Sequence, residues 1–222
     1  MPTIQPTYQG QNLEFWRLSI IYCKNNLIGL QHYPQSQIDL ANRIGIIIHT
    51  WILIEGFTKE VVWDHLIQLS MEDENNFNEL QEFAEKVKAS DWKVTKAIAK
   101  DNGLDFPNTV DADLWRTICK INDFRNAIFH SNDLRIMFAY NNNYTKPETI
   151  QHFQDALDHF KNPRIGVMDK TKLRGNNFDE MINEIFNSTF LNYIFKEAKE
   201  YCLTIGVGSQ NGYLLNRFKQ VI

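Results

Sequence analysis

The sequence predicts an all-α fold, a multi-helix up-and-down bundle, and three observations carry that prediction. Apolar residues recur along the chain at helical spacing, and no stretch alternates convincingly with the period of a strand. Ten glycines and six prolines in 222 residues are too few for many turn-linked strands. A hydrophobic content of 43%, with 13% aromatics, supplies a continuous core and excludes wholesale disorder.

Residues 1–37 read as an N-terminal extension, 38–205 as the main helical domain and 206–222 as a C-terminal tail. The extension holds one amphipathic helix over 13–30, with Phe15, Trp16, Leu18, Ile20, Ile21 and Leu27, broken by Tyr33-Pro34-Gln35-Ser36. From Ile38 to about Leu69 a long helix is apolar nearly all round, at Ile46, Ile47, Ile48, Trp51, Ile52, Leu53, Ile54 and Phe57. Such a helix marks a bundle centre or a subunit interface. A polar loop at 72–76 follows.

A helix over 77–100 then places Leu80, Phe83, Ala84, Val87, Trp92, Val94 and Ile98 near helical spacing, and Asn102-Gly103 stops it. After Phe106-Pro107-Asn108 a helix starts near Asp111, with Asp113 in its negative first turn. Leu114, Ile118, Ile121 and Phe124 form its stripe, and the same helix, straight or kinked, carries residues 125–130. Asn141-Asn142-Asn143 and Lys146-Pro147 are the clearest linker. A helix over 148–160 ends at Asn162-Pro163, and 164–177 form an irregular loop with Lys170, Lys172 and Arg174 exposed. The last helix, over 178–203, turns Met181, Ile182, Ile185, Phe186, Phe190, Leu191, Ile194 and Phe195 inward.

Composition also narrows the function. A net charge of −4 argues against a broad grip on nucleic acid, so any RNA binding uses a local basic patch. Cys23, Cys119 and Cys202 are widely spaced, form no metal-type pair and read as buried thiols in a reducing compartment. The first six residues lack the basic and apolar regions of a signal peptide. The most apolar run, 44–54, is shorter than the roughly 20 residues that span a bilayer. A soluble cytoplasmic protein with no membrane contact is expected.

The segment Arg125-Asn126-Ala127-Ile128-Phe129-His130 places a guanidinium, an amide and an imidazole within one short stretch of core-type residues. Phosphodiester cleavage needs an imidazole of near-neutral pKa to move a proton and a fixed cation to offset charge on phosphate. On a regular helix Asn126 and His130 share a face, whereas Arg125 diverges from His130 by roughly 140°. A kink, the long arginine side chain or a two-fold axis could each reunite them. A structural reading stands beside the chemical one: Arg125 pairs with Asp123 or Asp133, and His130 closes the helix C-terminus.

These residues resemble the Arg-x4-His signature of the HEPN superfamily, small helical domains that include RNA-cleaving toxins and defence proteins. In that family the Arg, a polar residue directly after it, often Asn, and the His line a cleft where two protomers meet. Arg125, Asn126 and His130 match position for position. The resemblance implies a metal-independent endoribonuclease of toxin or phage-defence type that needs no cofactor, acts on RNA as a homodimer and can have an antitoxin partner. His130 would be the base on the ribose 2′-hydroxyl or the acid on the leaving oxygen. Arg125 would bind the scissile phosphate, and Asn126 would hold His130 or touch phosphate. A 2′,3′-cyclic phosphate would result. One toxin branch carries a Tyr two residues after the His; Asn132 stands there, which argues against regulation by tyrosine adenylylation. The resemblance equally admits a non-catalytic domain for dimerisation or for RNA or nucleotide binding. A helical interaction protein with a purely structural motif is the third reading.

The remaining polar residues have plainer expectations. His49 and Glu55, in the most apolar helix, are hydrogen-bonded core positions or a second layer behind the motif. His152 and His159 share one helix face with Asp155 between, read as solvated polarity rather than a metal site. Gly206, Gly208 and Gly212 lack the lysine and the strand context of a phosphate loop and read as a flexible turn. Lys86, Lys88, Lys93, Lys96 and Lys100 make one helix basic, either as a solvated face or as a guide for RNA phosphates. The aromatics read as core material, not as a stacking platform.

Overall fold

The computed structural model describes residues 15–72, 75–129, 148–174, 178–208 and 212–222. The regular elements among them are all helical: α1 (Phe15–Leu27), α2 (Gln37–Glu72), α3 (Phe77–Ala89), α4 (Trp92–Asp101), α5 (Phe106–Thr109), α6 (Ala112–Phe129), α7 (Glu148–Phe160), a 3-10 turn (Lys172–Arg174), α8 (Phe178–Ile185), α9 (Ser188–Gly208) and α10 (Gly212–Lys219). The all-α expectation holds.

The spine is α2, and its all-round apolarity has a direct cause: α1, α3, α6 and α9 cover it from different sides. Ile46, Ile47, Leu53, Ile54, Phe57, Val61, Val62 and Leu66 are buried along its length. By length and composition α2 is apolar enough to cross a membrane, and 44% of its most apolar window is buried inside the fold. The spine has a parallel partner in α9. Arg43 Nη1 donates to the Phe186 carbonyl at 2.9 Å, and Thr58 meets the Tyr201 hydroxyl at 3.0 Å, so equal steps along both helices keep them in register.

Around this pair the neighbours alternate. The α1 helix runs antiparallel to α2, with Cys23 against the Ile46 carbonyl and Trp16 edge-on to Phe57 at 5.4 Å. The α6 helix runs antiparallel to α9: Trp115 lies near Tyr201, at 6.3 Å, and Phe124 near Phe190, at 5.0 Å. Return packing comes from α7, where Phe153 meets Phe124 at 5.2 Å and His159 meets Thr117 at 3.0 Å. The segment expected as an extension contributes Trp16, Ile20 and Cys23 to the common core, and the C-terminal α10 adds Leu214 and Phe218.

Two expected helices are each two. The helix expected over 77–100 breaks at Ser90-Asp91, where Asp91 caps α4 by accepting the Val94 N–H at 2.9 Å. The helix expected over 178–203 breaks at Phe186-Asn187. There the buried Asn187 side chain accepts the Phe190 N–H at 2.8 Å, and Arg43 takes the carbonyl of Phe186. The stop at Asn102-Gly103 is as expected. Gly103 sits at φ 91°, Leu104 N–H reaches the Ala99 carbonyl at 2.8 Å, and Gly103 N–H reaches that of Lys100 at 3.1 Å, a Schellman closure. The glycine-rich tail is helical where described: Gly206 lies inside α9, and a Cβ there would approach Phe57 and Leu215 to within 3.2–3.3 Å. The linker residues 141–147 lie outside the described residues.

Candidate functional site

Phe124 fixes the orientation of the motif helix. Its fully buried ring packs against Phe153, Phe160 and Phe190, and Ala127 is buried one turn on, so the rotation of α6 is set by its core stripe. That rotation leaves Arg125 and Asn126 half-buried, with Arg125 turned toward α2. Arg125 Nη1 donates to Asn126 Oδ1 at 2.7 Å, and Asn126 Nδ2 leans on Asn122 Oδ1 at 3.5 Å. The guanidinium carbon lies 6.0 Å from the centre of the Trp51 ring, within cation–π range. Asp123 pairs with Lys120 at 2.9 Å. His130, with Ser131, Asn132 and Asp133, lies outside the described residues.

Trp51 is itself held. Its indole N–H donates to Glu55 Oε2 at 2.9 Å, and Glu55 is paired with Lys59 at 2.9 Å. Glu55 therefore stands behind the motif through the indole. His49 does not: Ser19 Oγ lies 3.1 Å from its Nδ1 and Tyr22 stacks on its ring at 4.1 Å, so it faces α1, where burial lowers its pKa.

From Trp51 an aromatic series continues across the bundle. Trp92 of α4 meets Trp51 edge-on at 5.2 Å and lies nearly parallel to Trp115 of α6 at 6.1 Å. Lys96 Nζ sits 5.2 Å from the centres of both Trp92 and Trp115. Arg125 and Lys96 thus close the two ends of one run of three indoles. Trp51 and Trp92 are core, as expected of aromatics here, whereas Trp115 is half-exposed and borders a cleft of about 230 Å³. Sequence reasoning missed this because the three tryptophans come from three helices, and no local spacing links them.

No family model, curated protein or solved structure matches the chain. Its functional reading therefore stands on its own residues.

The other candidates settle into packing roles. His159 is half-buried rather than solvated, with its Nε2 3.0 Å from Thr117 Oγ1, and burial first, then Arg116 and Lys120, lower its pKa. Among the described residues no group of three or more His, Cys, Asp or Glu is arranged to hold a metal. Cys23 and Cys202 are buried, and burial pushes the Cys23 thiol up to about 12. Cys119 is half-exposed instead, between Lys96, Lys120 and Asp123.

A second polar constellation, also absent from the sequence reading, lies where α2 and α9 begin. Glu184, with a side chain only 4% exposed, accepts the Asp169 N–H at 2.6 Å, Asn187 Nδ2 at 3.2 Å and the Tyr33 hydroxyl at 3.3 Å. Lys172, expected to be exposed in its loop, has a side chain 41% exposed, and it donates to the Tyr33 hydroxyl and lies 3.9 Å from Glu184. The open recess here, about 280 Å³, has polar groups that already satisfy one another and latch loop 161–174 to the bundle.

Proposed function

We propose that the chain is a metal-independent endoribonuclease in which Arg125, Asn126 and His130 cleave RNA by attack of the ribose 2′-hydroxyl. The observation that supports the reading is a pre-positioned cation. Arg125 is half-buried, clamped by Asn126 at 2.7 Å and laid along Trp51 at 6.0 Å, five positions before His130. A guanidinium oriented in advance does not have to reorganise when charge builds on a phosphoryl group, which is where electrostatic catalysis gains most. Half-burial strengthens the field of the guanidinium.

In this mechanism the 2′-oxygen bonds to phosphorus as His130 takes its proton. The bond to the 5′-oxygen breaks, and that oxygen leaves as a hydroxyl by taking up the proton that His130 carries. The products are a 2′,3′-cyclic phosphate and a 5′-hydroxyl. Arg125 holds the non-bridging oxygens, and Asn126 fixes the guanidinium. The resemblance to HEPN domains adds a homodimeric cleft of toxin or defence type, with RNA as substrate and an antitoxin as a further partner.

The test is a set of single-stranded RNAs incubated with the protein in EDTA, with strand ends identified by mass. Cyclic phosphate ends are expected. His130→Ala should lower the rate by about 10²- to 10⁴-fold, and Arg125→Lys, which keeps the charge but loses the fork, by about 10²-fold. Cleavage undiminished in His130→Ala would refute the mechanism. One observation favours the second reading, a binding or dimerisation domain without catalysis: the contact of Arg125 with the Trp51 ring also serves to pin α6 to α2. That reading expects native mass and RNA affinity without strand scission.

A further inference from the structure

We infer that the cleft bordered by Lys96, Lys100, Asp105, Phe106, Pro107 and Trp115 is a subsite for one unpaired nucleotide of a single-stranded RNA, with the base against Trp115 and the phosphate on Lys100. The inference rests on the proposed action on RNA for its substrate class, yet it uses none of Arg125, Asn126 and His130.

The chemistry of the walls selects the ligand. Phe106, Pro107 and the half-exposed Trp115 give an apolar slot of about 230 Å³, large enough for a base and its sugar. Two ammonium groups stand at its rim. Lys96 already neutralises part of its solvation demand over Trp92 and Trp115, at 5.2 Å from each. Lys100 is exposed, and among the described residues no carboxylate pairs with it. The one acid in the lining, Asp105, accepts Asn108 Nδ2 at 2.8 Å. A ligand with a flat apolar body and an attached anion satisfies slot and rim together; a bare anion leaves the slot empty, and a neutral hydrocarbon leaves the ammoniums unmatched. The base must be unpaired, because only then is its ring face open to stack.

The slot is also pre-formed. The Schellman closure at Gly103 fixes one side, and the Asp105 carbonyl accepts the N–H groups of Asn108 and Thr109 at 3.0 Å each. Asp111 caps α6 through the N–H groups of Asp113 and Leu114, at 2.9 and 3.2 Å, which sets where Trp115 stands. Little ordering is left to oppose binding. Trp115 and Arg125 are ten residues apart on α6, about 15 Å along its axis. At the spacing of phosphates along a single strand, a strand seated in the slot covers that distance within a few nucleotides.

The experiment is an anisotropy titration of a fluorescein-labelled single-stranded ten-nucleotide RNA against the full chain carrying His130→Ala, which removes cleavage from the readout. Lys100→Glu and Trp115→Leu should each weaken binding about tenfold, while Lys219→Glu, the same charge change on the exposed face of α10, should leave it within twofold. Both cleft variants keeping the parental affinity would overturn the subsite, and so would 5′-AMP binding as tightly as the strand, since the slot would then serve a free nucleotide. Failure of the two proposals is separable. Cleavage with unaffected cleft variants removes the subsite and keeps the nuclease; strand binding through the cleft without any cleavage does the reverse.

Discussion

A guanidinium with no solvent exposure has to replace every lost water contact, and Arg43 does so completely. It forks onto Asp39 at 3.1 Å with both Nε and Nη2, and it donates to the carbonyls of Gln31, His32, Tyr33 and Phe186 at 2.7–3.3 Å. Those carbonyls belong to the turn before α2 and to the break before α9, so one side chain closes both. Arg43→Met keeps the volume but strips the acceptors of their donor. It should lower the unfolding free energy by about 3–5 kcal/mol in a urea titration, and a loss below about 1 kcal/mol would deny Arg43 that role. Glu60 gives the opposite kind of residue, a carboxyl that the fold prefers protonated. Burial pushes it up to about 7, with Trp16 opposing and Asp64 adding. A raised folded-state pKa means that the stabilisation from proton binding is complete below about 4.5 and is lost as pH rises through about 7. Glu60→Gln should therefore match the parent at pH 4.5 and exceed it at pH 8 by about 1–3 kcal/mol. Thermal melts of both proteins across that window check the sign, and equal melts at pH 8 contradict it.

At the scale of elements, helical periodicity was readable and helix breaks were not. The stripe Leu114, Ile118, Ile121 and Phe124 located α6, and Asn102-Gly103 located the end of α4, because each signal is local and chemical. The breaks at Ser90-Asp91 and Phe186-Asn187 keep the apolar rhythm running across them, so a pattern of apolar positions reads straight through. Their signal lies instead in the cap residues, Asp91 and Asn187 followed by Ser188. The second break also depends on Arg43, 143 residues away, which supplies a donor to the stranded carbonyl of Phe186. Asn187 carries more than a cap, because its Nδ2 also reaches the Val167 and Glu184 carbonyls at 3.0 and 2.7 Å. Asn187→Ala should cost about 2–3 kcal/mol, against about 1 kcal/mol for Asp91→Ala on the exposed α4 cap. Urea unfolding of the two variants side by side measures the difference. Equal losses would show that Asn187 acts as a simple cap.

Across the whole molecule, the legible part of the candidate site was the part carried by neighbours in sequence. Arg125 and Asn126 stand together because they are consecutive on a helix whose core face Phe124 dictates. The three-indole run from Arg125 to Lys96 is a product of topology: α2 and α9 run parallel, α6 lies antiparallel to both, and α4 is brought in by the break at Asp91. No window of sequence contains it. A net charge of −4 constrains how the proposed action on RNA would work. A net negative charge gives no general attraction for polyphosphate, while Lys96 and Lys100 stand together at the Trp115 cleft and Arg125 lies further along α6. Binding that uses only two or three such cations releases few counterions. For a single strand the slope of log K against log salt concentration should be about −1.4 to −2 with the His130→Ala protein, far shallower than for a protein gripping many phosphates. Lys100→Glu should reduce the slope by roughly 0.7. Titrations between 50 and 200 mM salt (on the order of the range over which such slopes are taken) decide the matter. A slope steeper than about −4, unchanged in Lys100→Glu, would mean that RNA is held by a broad basic surface and that the Trp115 cleft has no part in seating the strand.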